Sequence, residues 1–163
     1  MSATSKVYRI AVIGCGPRGT AAADAYQAHP RTTVVGLCDI LPAPLATLAD
    51  ALGIAARFSE YETMIRKTQP DILVVATQSD LHYDQAMRVL EHGVNLDLEK
   101  PICLDLQEAD TLLARSAAGR LRCTISGRWA PSCDHFFAWS AKAVSAACIT
   151  WSLPAKATTV ALA

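Results

Sequence analysis

An α/β fold on a doubly wound parallel sheet is what this sequence predicts, and three observations predict it. Short apolar runs alternate with segments of helical periodicity along most of the 163 residues. A Gly-rich turn, Gly14 to Gly19, follows the first apolar run and opens the first helical segment. The run Ile72 to Ala76 is continuously apolar, as a central strand covered on both faces must be. Strand and helix alternating at this spacing means βαβ units and a parallel sheet.

The elements follow in order. Val7 to Ile13 reads as a strand, and the Ala-rich stretch Thr20 to His29 as a helix stopped by Pro30. Val34 to Cys38 is a second strand, ending at Asp39. Leu45, Leu48 and Leu52 recur at helical spacing, with Gly53 where a C-terminal cap belongs. Ser59 and Glu62 read as a capping box ahead of Met64 and Ile65. After the Ile72 strand, Tyr83, Ala86, Met87 and Leu90 form one helical face closed by Gly93. Val94, Leu96 and Leu98 alternate with polar residues as a further strand. Asp105 with Glu108 starts another helix, with Leu106, Ala109 and Leu113 on one face. Leu121, Cys123 and Ile125 alternate with Arg122, Thr124 and Ser126, which suits a strand near the sheet edge.

A parallel sheet of this kind takes its ligand at the carboxyl ends of its strands, near the point where strand order reverses. The residues to weigh are therefore Gly14 to Gly19, Asp39, Thr77 to His82, and Glu99 to Pro101. Gly14-Cys15-Gly16-Pro17-Arg18-Gly19 fits G-x-G-x-x-G in its proper strand-to-helix context. There the first Gly permits a tight turn, the second lets backbone approach a pyrophosphate, and the third lets the helix pack close to the strand. The helix N-terminus adds unpaired N–H groups and the positive end of its dipole. Asp39, twenty positions after Gly19, is suited to accept hydrogen bonds from the adenosine ribose hydroxyls and to repel a 2′-phosphate. The pattern predicts a Rossmann-type NAD(P)-binding domain that favours NAD over NADP, though Arg18 is within reach of an added phosphate. A Gly-rich first turn and an acid after the second strand also suit an S-adenosylmethionine-dependent methyltransferase, which keeps that alternative open at this point.

The downstream segments carry more. Thr77-Gln78-Ser79-Asp80-Leu81-His82 follows the Ile72 strand, and Glu99-Lys100-Pro101 follows the Val94 strand. With these the chain resembles the Gfo/Idh/MocA oxidoreductases, whose members include glucose–fructose oxidoreductase and inositol 2-dehydrogenase. That family's pattern is G-x-G-x-x-G, a strand followed by T-x-x-x-x-H, then helix, Gly, strand and E-K-P. The resemblance runs from about Lys6 to Pro131 and departs at Gln78 and Ser79, where Pro and Asn are common in the family. It implies an NAD(P)-dependent oxidoreductase acting on a sugar, polyol or related hydroxyl compound. It implies that Lys100 lies between nicotinamide and substrate as the catalytic residue, that Glu99 positions the cofactor or Lys100, and that Pro101 fixes the turn. Cofactor contacts are implied for Gly14, Cys15, Gly16, Pro17, Arg18, Gly19, Asp39, Thr77, His82, Glu99 and Lys100. Without the family, Glu99-Lys100 is a charged pair before a proline, and His82 equally a partly buried helix-start histidine.

Composition bounds the rest. The 15 basic and 15 acidic residues cancel, so no basic excess supports nucleic-acid binding. No apolar run approaches the ~18 residues that cross a membrane, and the polar start Met1 to Lys6 is no secretory signal. Cys15, Cys38, Cys103, Cys123, Cys133 and Cys148 form no C-x-x-C pair, which argues against a zinc site and for reduced thiols in a cytoplasmic protein. A small-molecule substrate and a homo-oligomer are the expected partners, with no nucleic acid and no membrane.

The expected organisation is a nucleotide domain over 5–131 and a short C-terminal tail, 132–163, in place of a full second domain. In the family the chain leaves the nucleotide domain near an Arg and a Pro, as Gly127-Arg128-Trp129-Ala130-Pro131 does here. A substrate domain follows there, an open, mostly antiparallel sheet that supplies an Asp and a His from an Asp-x-x-x-His-type motif. Here Asp134 and His135 are adjacent, and no acidic residue or glycine follows Asp134. The change of composition near Phe137 leads to the expectation of a tail out of register with its ancestral coding sequence, by frameshift or a false end. A natural tail forming one amphipathic helix through Ala141, Val144, Ala147 and Cys148, with Trp139 and Trp151 packed on the sheet or a partner, is the other reading. Hydride transfer needs both reactants held in a closed site, so the chain is expected to bind NAD and to be catalytically impaired. A binding-only NAD module, a sensor or subunit, is the alternative from another class.

Overall fold

A computed structural model describes residues 6–116 and 121–124. They form six parallel strands and five α-helices: β1 (Tyr8–Ile13), α1 (Pro17–Ala28), β2 (Thr32–Cys38), α2 (Pro42–Leu52), β3 (Arg57–Phe58), α3 (Tyr61–Thr68), β4 (Ile72–Val75), α4 (His82–Glu91), β5 (Asn95–Glu99), α5 (Leu106–Arg115) and β6 (Leu121–Thr124). The sheet order is β3-β2-β1-β4-β5-β6, every ladder is parallel, and strand order reverses between β1 and β4. This is the doubly wound, Rossmann-type arrangement that the sequence predicts. The segments Ile125, Ser126, Gly127 to Pro131 and the tail 132–163 lie outside the described residues.

Two cores sandwich the sheet, and the pleat sorts residues between them. Ile10, Val12, Ile72 and Val74 face α1 and α2, where they meet Ala22, Ala23, Tyr26, Leu45 and Leu48. Their neighbours Ala11, Ile13, Leu73 and Val75 face the other way, with Met64, Ile65, Val89, Leu90 and Leu112. The two central strands are thus buried on both faces over residues 10–13 and 72–75, which is why those stretches are unbroken apolar runs. Cys15, Cys38 and Cys103 stand as thiols.

Several boundaries differ from the sequence reading. Helix α1 begins at Pro17, three residues before Thr20, because proline at the first helical position has its φ preset and gives up only an N–H that would be unpaired anyway. The cap of α3 is Glu60, not Ser59: its longer carboxylate accepts from the N–H groups of both Glu62 and Thr63. Asp105 caps α5 as expected, accepting from Gln107 and Glu108. The side chain that anchors α5, however, is Leu112, while Leu106 is 84% exposed because it sits in the first turn, at the open carboxyl edge of the sheet. Strand β3 has two residues, too few to show a period.

Two features, a glycine on β2 and a buried acid on β5, were not announced by the sequence. The β1–β2 register slips between Ile10 and Ala11, putting Val34 opposite one and Gly36 opposite the other. At Gly36 a Cβ would lie 3.0 Å from Thr68 Cγ2 and 3.2 Å from Met64 Cγ. The bulge and its glycine bring α3 down onto β2. On β5 the polar residue Asp97 is buried, and Tyr26 of α1 donates its hydroxyl to Asp97 Oδ2 at 2.7 Å. Asp97, at the middle of that strand, faces α1 and not water.

Candidate nucleotide site

Four strand ends converge at the carboxyl edge, and the backbone there is fixed by close approaches. Gly14 ends β1 with φ +90, donates its N–H to Cys38 O at 2.8 Å, and leaves no room for a side chain: a Cβ would stand 2.5 Å from Ala76 O. The loop after β1 is therefore wedged between the ends of β2 and β4, at the reversal of strand order. Gly19, in the first turn of α1, is held equally close, since a Cβ there would fall 1.7 Å from Gly14 O. Gly16 is different. It is the N-cap of α1, and a Cβ on it would meet nothing within 4 Å. The space over Gly16 is open on the ligand side while the flanking glycines are closed on the protein side. That is the shape of a cradle for a phosphate, and the first-turn N–H groups of Arg18 and Gly19 point out of a helix end that leaves them without intrahelical partners. Pro17 contributes no donor, and Arg18 is exposed beside it.

Asp39 follows β2 and is tied to this loop. Its Oδ2 accepts the Cys15 N–H at 2.7 Å and its Oδ1 accepts the Leu41 N–H at 2.8 Å. A carboxylate offers about four acceptor positions, so two remain for hydroxyl donors. Cys15 turns its side chain inward, where its Sγ contacts Cys38 O at 3.8 Å. Burial, and then the Asp39 charge, push the Cys15 thiol up to about 12. Burial likewise pushes Cys38 up to about 12, with the neighbouring Cys15, Asp39 and Glu60 adding to it. Next to Asp39, Ile40 is 81% exposed and Leu41 58% exposed. Sequence reasoning passed over this apolar ledge. Its signal was two large aliphatic residues directly after the acid, ahead of the Pro42 that starts α2.

Across the reversal point, the turn after β4 carries Thr77, whose hydroxyl donates to Gln85 Oε1 at 2.6 Å. His82, the first residue of α4, is 1% exposed. Its Nδ1 lies 2.6 Å from Pro101 O and its Nε2 lies 3.2 Å from Thr77 O. Glu99 ends β5 with its side chain buried, and its Oε2 accepts the Lys100 N–H at 3.1 Å. Lys100 is exposed at the rim, and the Lys100–Pro101 peptide is cis. The chain thus gathers every predicted site residue on one edge, with Cys15, His82 and Glu99 turned into the protein and Gly16, Arg18 and Lys100 turned out. Asp134 and His135 lie outside the described residues.

Among the described residues, the opposite edge of the sheet offers no equivalent. A depression there is lined by Ile65, Arg66, Gln69, Pro70, His92, Gly93 and Val94, where α3 and α4 present their carbonyl ends, the wrong dipole end for a phosphate. Among the described residues no cluster of His, Cys, Asp or Glu suits a metal ion, and no helix is long and apolar enough to cross a membrane.

Comparison with known proteins agrees with this fold. A Glycosyl hydrolase family 109 protein of Porphyromonas gingivalis is 27% identical over 124 residues, 71% of this chain and 26% of that relative. The chain therefore spans about a quarter of the length of that curated relative. Among solved structures, scyllo-inositol dehydrogenase from Lactobacillus casei with bound cofactor NAD(H) and scyllo-inositol has the same fold, with a TM-score of 0.67 and 22% identity over 74% of this chain and 36% of its own. The WlbA dehydrogenase from Bordetella pertussis, in complex with NADH and UDP-GlcNAcA, is 28% identical with a TM-score of 0.66 over 72% of this chain and 36% of its own. The family described as "Oxidoreductase family, NAD-binding Rossmann fold" matches residues 8–126, and the chain belongs to this family, Gfo/Idh/MocA.

Proposed function

We propose that these residues form the cofactor-binding half of an NAD-dependent oxidoreductase that oxidises or reduces a hydroxyl-bearing carbon of a sugar, polyol or related compound. The observation that carries the reading is the open space over Gly16 at the head of α1, with Asp39 tied to the same loop at the end of β2 and Lys100 on the same sheet edge, after β5 on the far side of β4. The pyrophosphate is held by the first-turn N–H groups of Arg18 and Gly19. Asp39 accepts the adenosine ribose hydroxyls, selects against a 2′-phosphate, and Ile40 and Leu41 supply an apolar ledge for the base. A dinucleotide lying across the reversal point then carries its nicotinamide half to the ends of β4 and β5, among Thr77, Glu99 and Lys100. When bound, that cofactor supplies the two-electron acceptor or donor. Lys100 Nζ hydrogen-bonds the substrate oxygen and handles its proton, while Glu99 anchors the Lys100 backbone.

Residues 6–124 furnish the cofactor's side of such a site, and a closed site needs a wall on the substrate's side as well. Of the cofactor's side alone, the expected behaviour is NAD binding with little turnover. NAD reduction by a panel of polyols and sugars, followed by NADH absorbance, is the test: robust rates contradict the impaired-catalysis reading. Glycoside cleavage is a second reading, favoured by the description of the Porphyromonas gingivalis relative, and some glycosidases depend on NAD. Release of the aglycone from aryl glycosides with no net NADH formed would favour it over dehydrogenation.

A further inference from the structure

We infer that His82 is a positioning residue, which ties the Lys100–Pro101 turn to the Thr77 turn and so fixes where Lys100 emerges. The last clause rests on the function proposed above. The tie itself rests on geometry. The β4–β5 ladder ends at the pair Val75 and Leu98, and beyond it the two chains run as separate turns. His82 fills the gap between them. Its ring is buried, and each ring nitrogen is within hydrogen-bonding distance of a backbone carbonyl from a different turn, Nδ1 of Pro101 and Nε2 of Thr77.

Carbonyl oxygens only accept, so a ring nitrogen must carry a proton to bond one. The shorter contact, 2.6 Å to Pro101 O, assigns that proton to Nδ1, so the ring donates one hydrogen bond, to the Lys100–Pro101 turn, while its link to the Thr77 turn is the chain itself, which runs from that turn into His82 at the start of α4. A ring that contacted the cofactor directly would need a nitrogen turned toward the crevice, and both face protein carbonyls. The spacing of the motif fits this role: the turn that starts at Thr77 delivers His82 five residues later to the first position of α4, where its ring reaches Pro101 O.

The test uses three variants of the full chain and two nucleotides. His82→Asn keeps an amide N–H about where Nδ1 sits, His82→Gln puts one nearer Nε2, and His82→Leu has none. ADP-ribose carries the adenosine and both phosphates but no nicotinamide. His82→Leu is expected to bind ADP-ribose within about twofold of wild type yet NADH about tenfold more weakly, the loss of one hydrogen bond's worth of placement. His82→Asn should recover most of the NADH affinity and His82→Gln should not. In the wild-type chain, 15N imidazole shifts should show the Nδ1–H form of His82, a readout that stands even where a variant fails to fold. An Nε2–H form with bare Nδ1, equal losses of both nucleotides in all three variants, or no loss in any, overturns the inference. A wild-type chain that binds neither nucleotide removes the cofactor reading, and the imidazole tautomer then decides the tie by itself.

Discussion

Three glycines within six residues divide by what surrounds them, and only Gly16 opens on free space. Gly14 and Gly19 are closed in by backbone, the second against Gly14 O at 1.7 Å from its would-be Cβ, whereas Gly16 opens on empty space. Gly19→Ala is therefore expected to destabilise the fold by more than about 3 kcal/mol, since backbone on both sides must shift. Gly16→Val should change the melting temperature by no more than about 3 °C while abolishing NADH binding. Denaturation and calorimetry on both variants check this; equal destabilisation of the two would remove the distinction. The thiols make a second residue-scale expectation. Cys15 and Cys38 are pushed up to about 12 by burial, so at about pH 8, near the pKa of a free cysteine, almost no thiolate is present at either. Cys103, only partly buried, should be alkylated well before them in the native protein, as read by mass spectrometry of its peptides. Labelling of Cys15 at the rate of Cys103 would contradict the inward orientation of the loop.

At the scale of the element, capping decides where helices begin, and it is titratable. The Thr63 side chain, aided by the N–H groups of Thr63 and Glu62 and by the Arg66 charge, holds the Glu60 carboxyl below its usual range against a smaller opposing effect of burial. Its folded pKa is depressed, so the stabilisation is fully present above the unfolded value near ~4.3 and is lost as pH falls through the folded value. Glu60→Gln should lower the melting temperature at neutral pH, with the gap to wild type closing in acid below that window. A gap independent of pH would show that the charge of Glu60 does not matter. This cap also marks where sequence reading ran short. Ser59 and Glu62 have the spacing of a capping box, and nothing in one sequence says that the longer carboxylate of Glu60 reaches two N–H groups first. Leu106 misled for a similar reason. Its apolar side chain fits the helical period, but period does not say which end of α5 rests on the sheet. Strand β4, by contrast, was legible because burial on both faces leaves an unbroken apolar run, whereas the two residues of β3 leave no pattern to read.

For the whole molecule, the sheet does two things at once: it sorts side chains into two cores, and it brings the ends of β1, β2, β4 and β5 to one edge. The glycine loop, Asp39 and the Glu99-Lys100-Pro101 turn were legible because each follows a strand at the ligand edge. The inward roles of Cys15 and His82 were not, since a sequence does not show which way a loop side chain turns. One buried contact links the two functions. Tyr26 on α1 donates to Asp97 on β5, across the face of the central strands and beneath the site. Tyr26→Phe is expected to destabilise by about 1 kcal/mol, the net worth of one hydrogen bond, with urea unfolding as the measure. A neutral effect would mean that Asp97 is satisfied without the phenol.

The most direct test of the account is a calorimetric titration of NADH into the purified chain, with NADPH and S-adenosylmethionine as comparators and Gly16→Val and Asp39→Ala as controls. The account predicts that NADH binds more tightly than NADPH, that Gly16→Val removes binding, that Asp39→Ala weakens it, and that S-adenosylmethionine gives no heat of binding. A folded chain that ignores NADH, or that takes S-adenosylmethionine in its place, would contradict it.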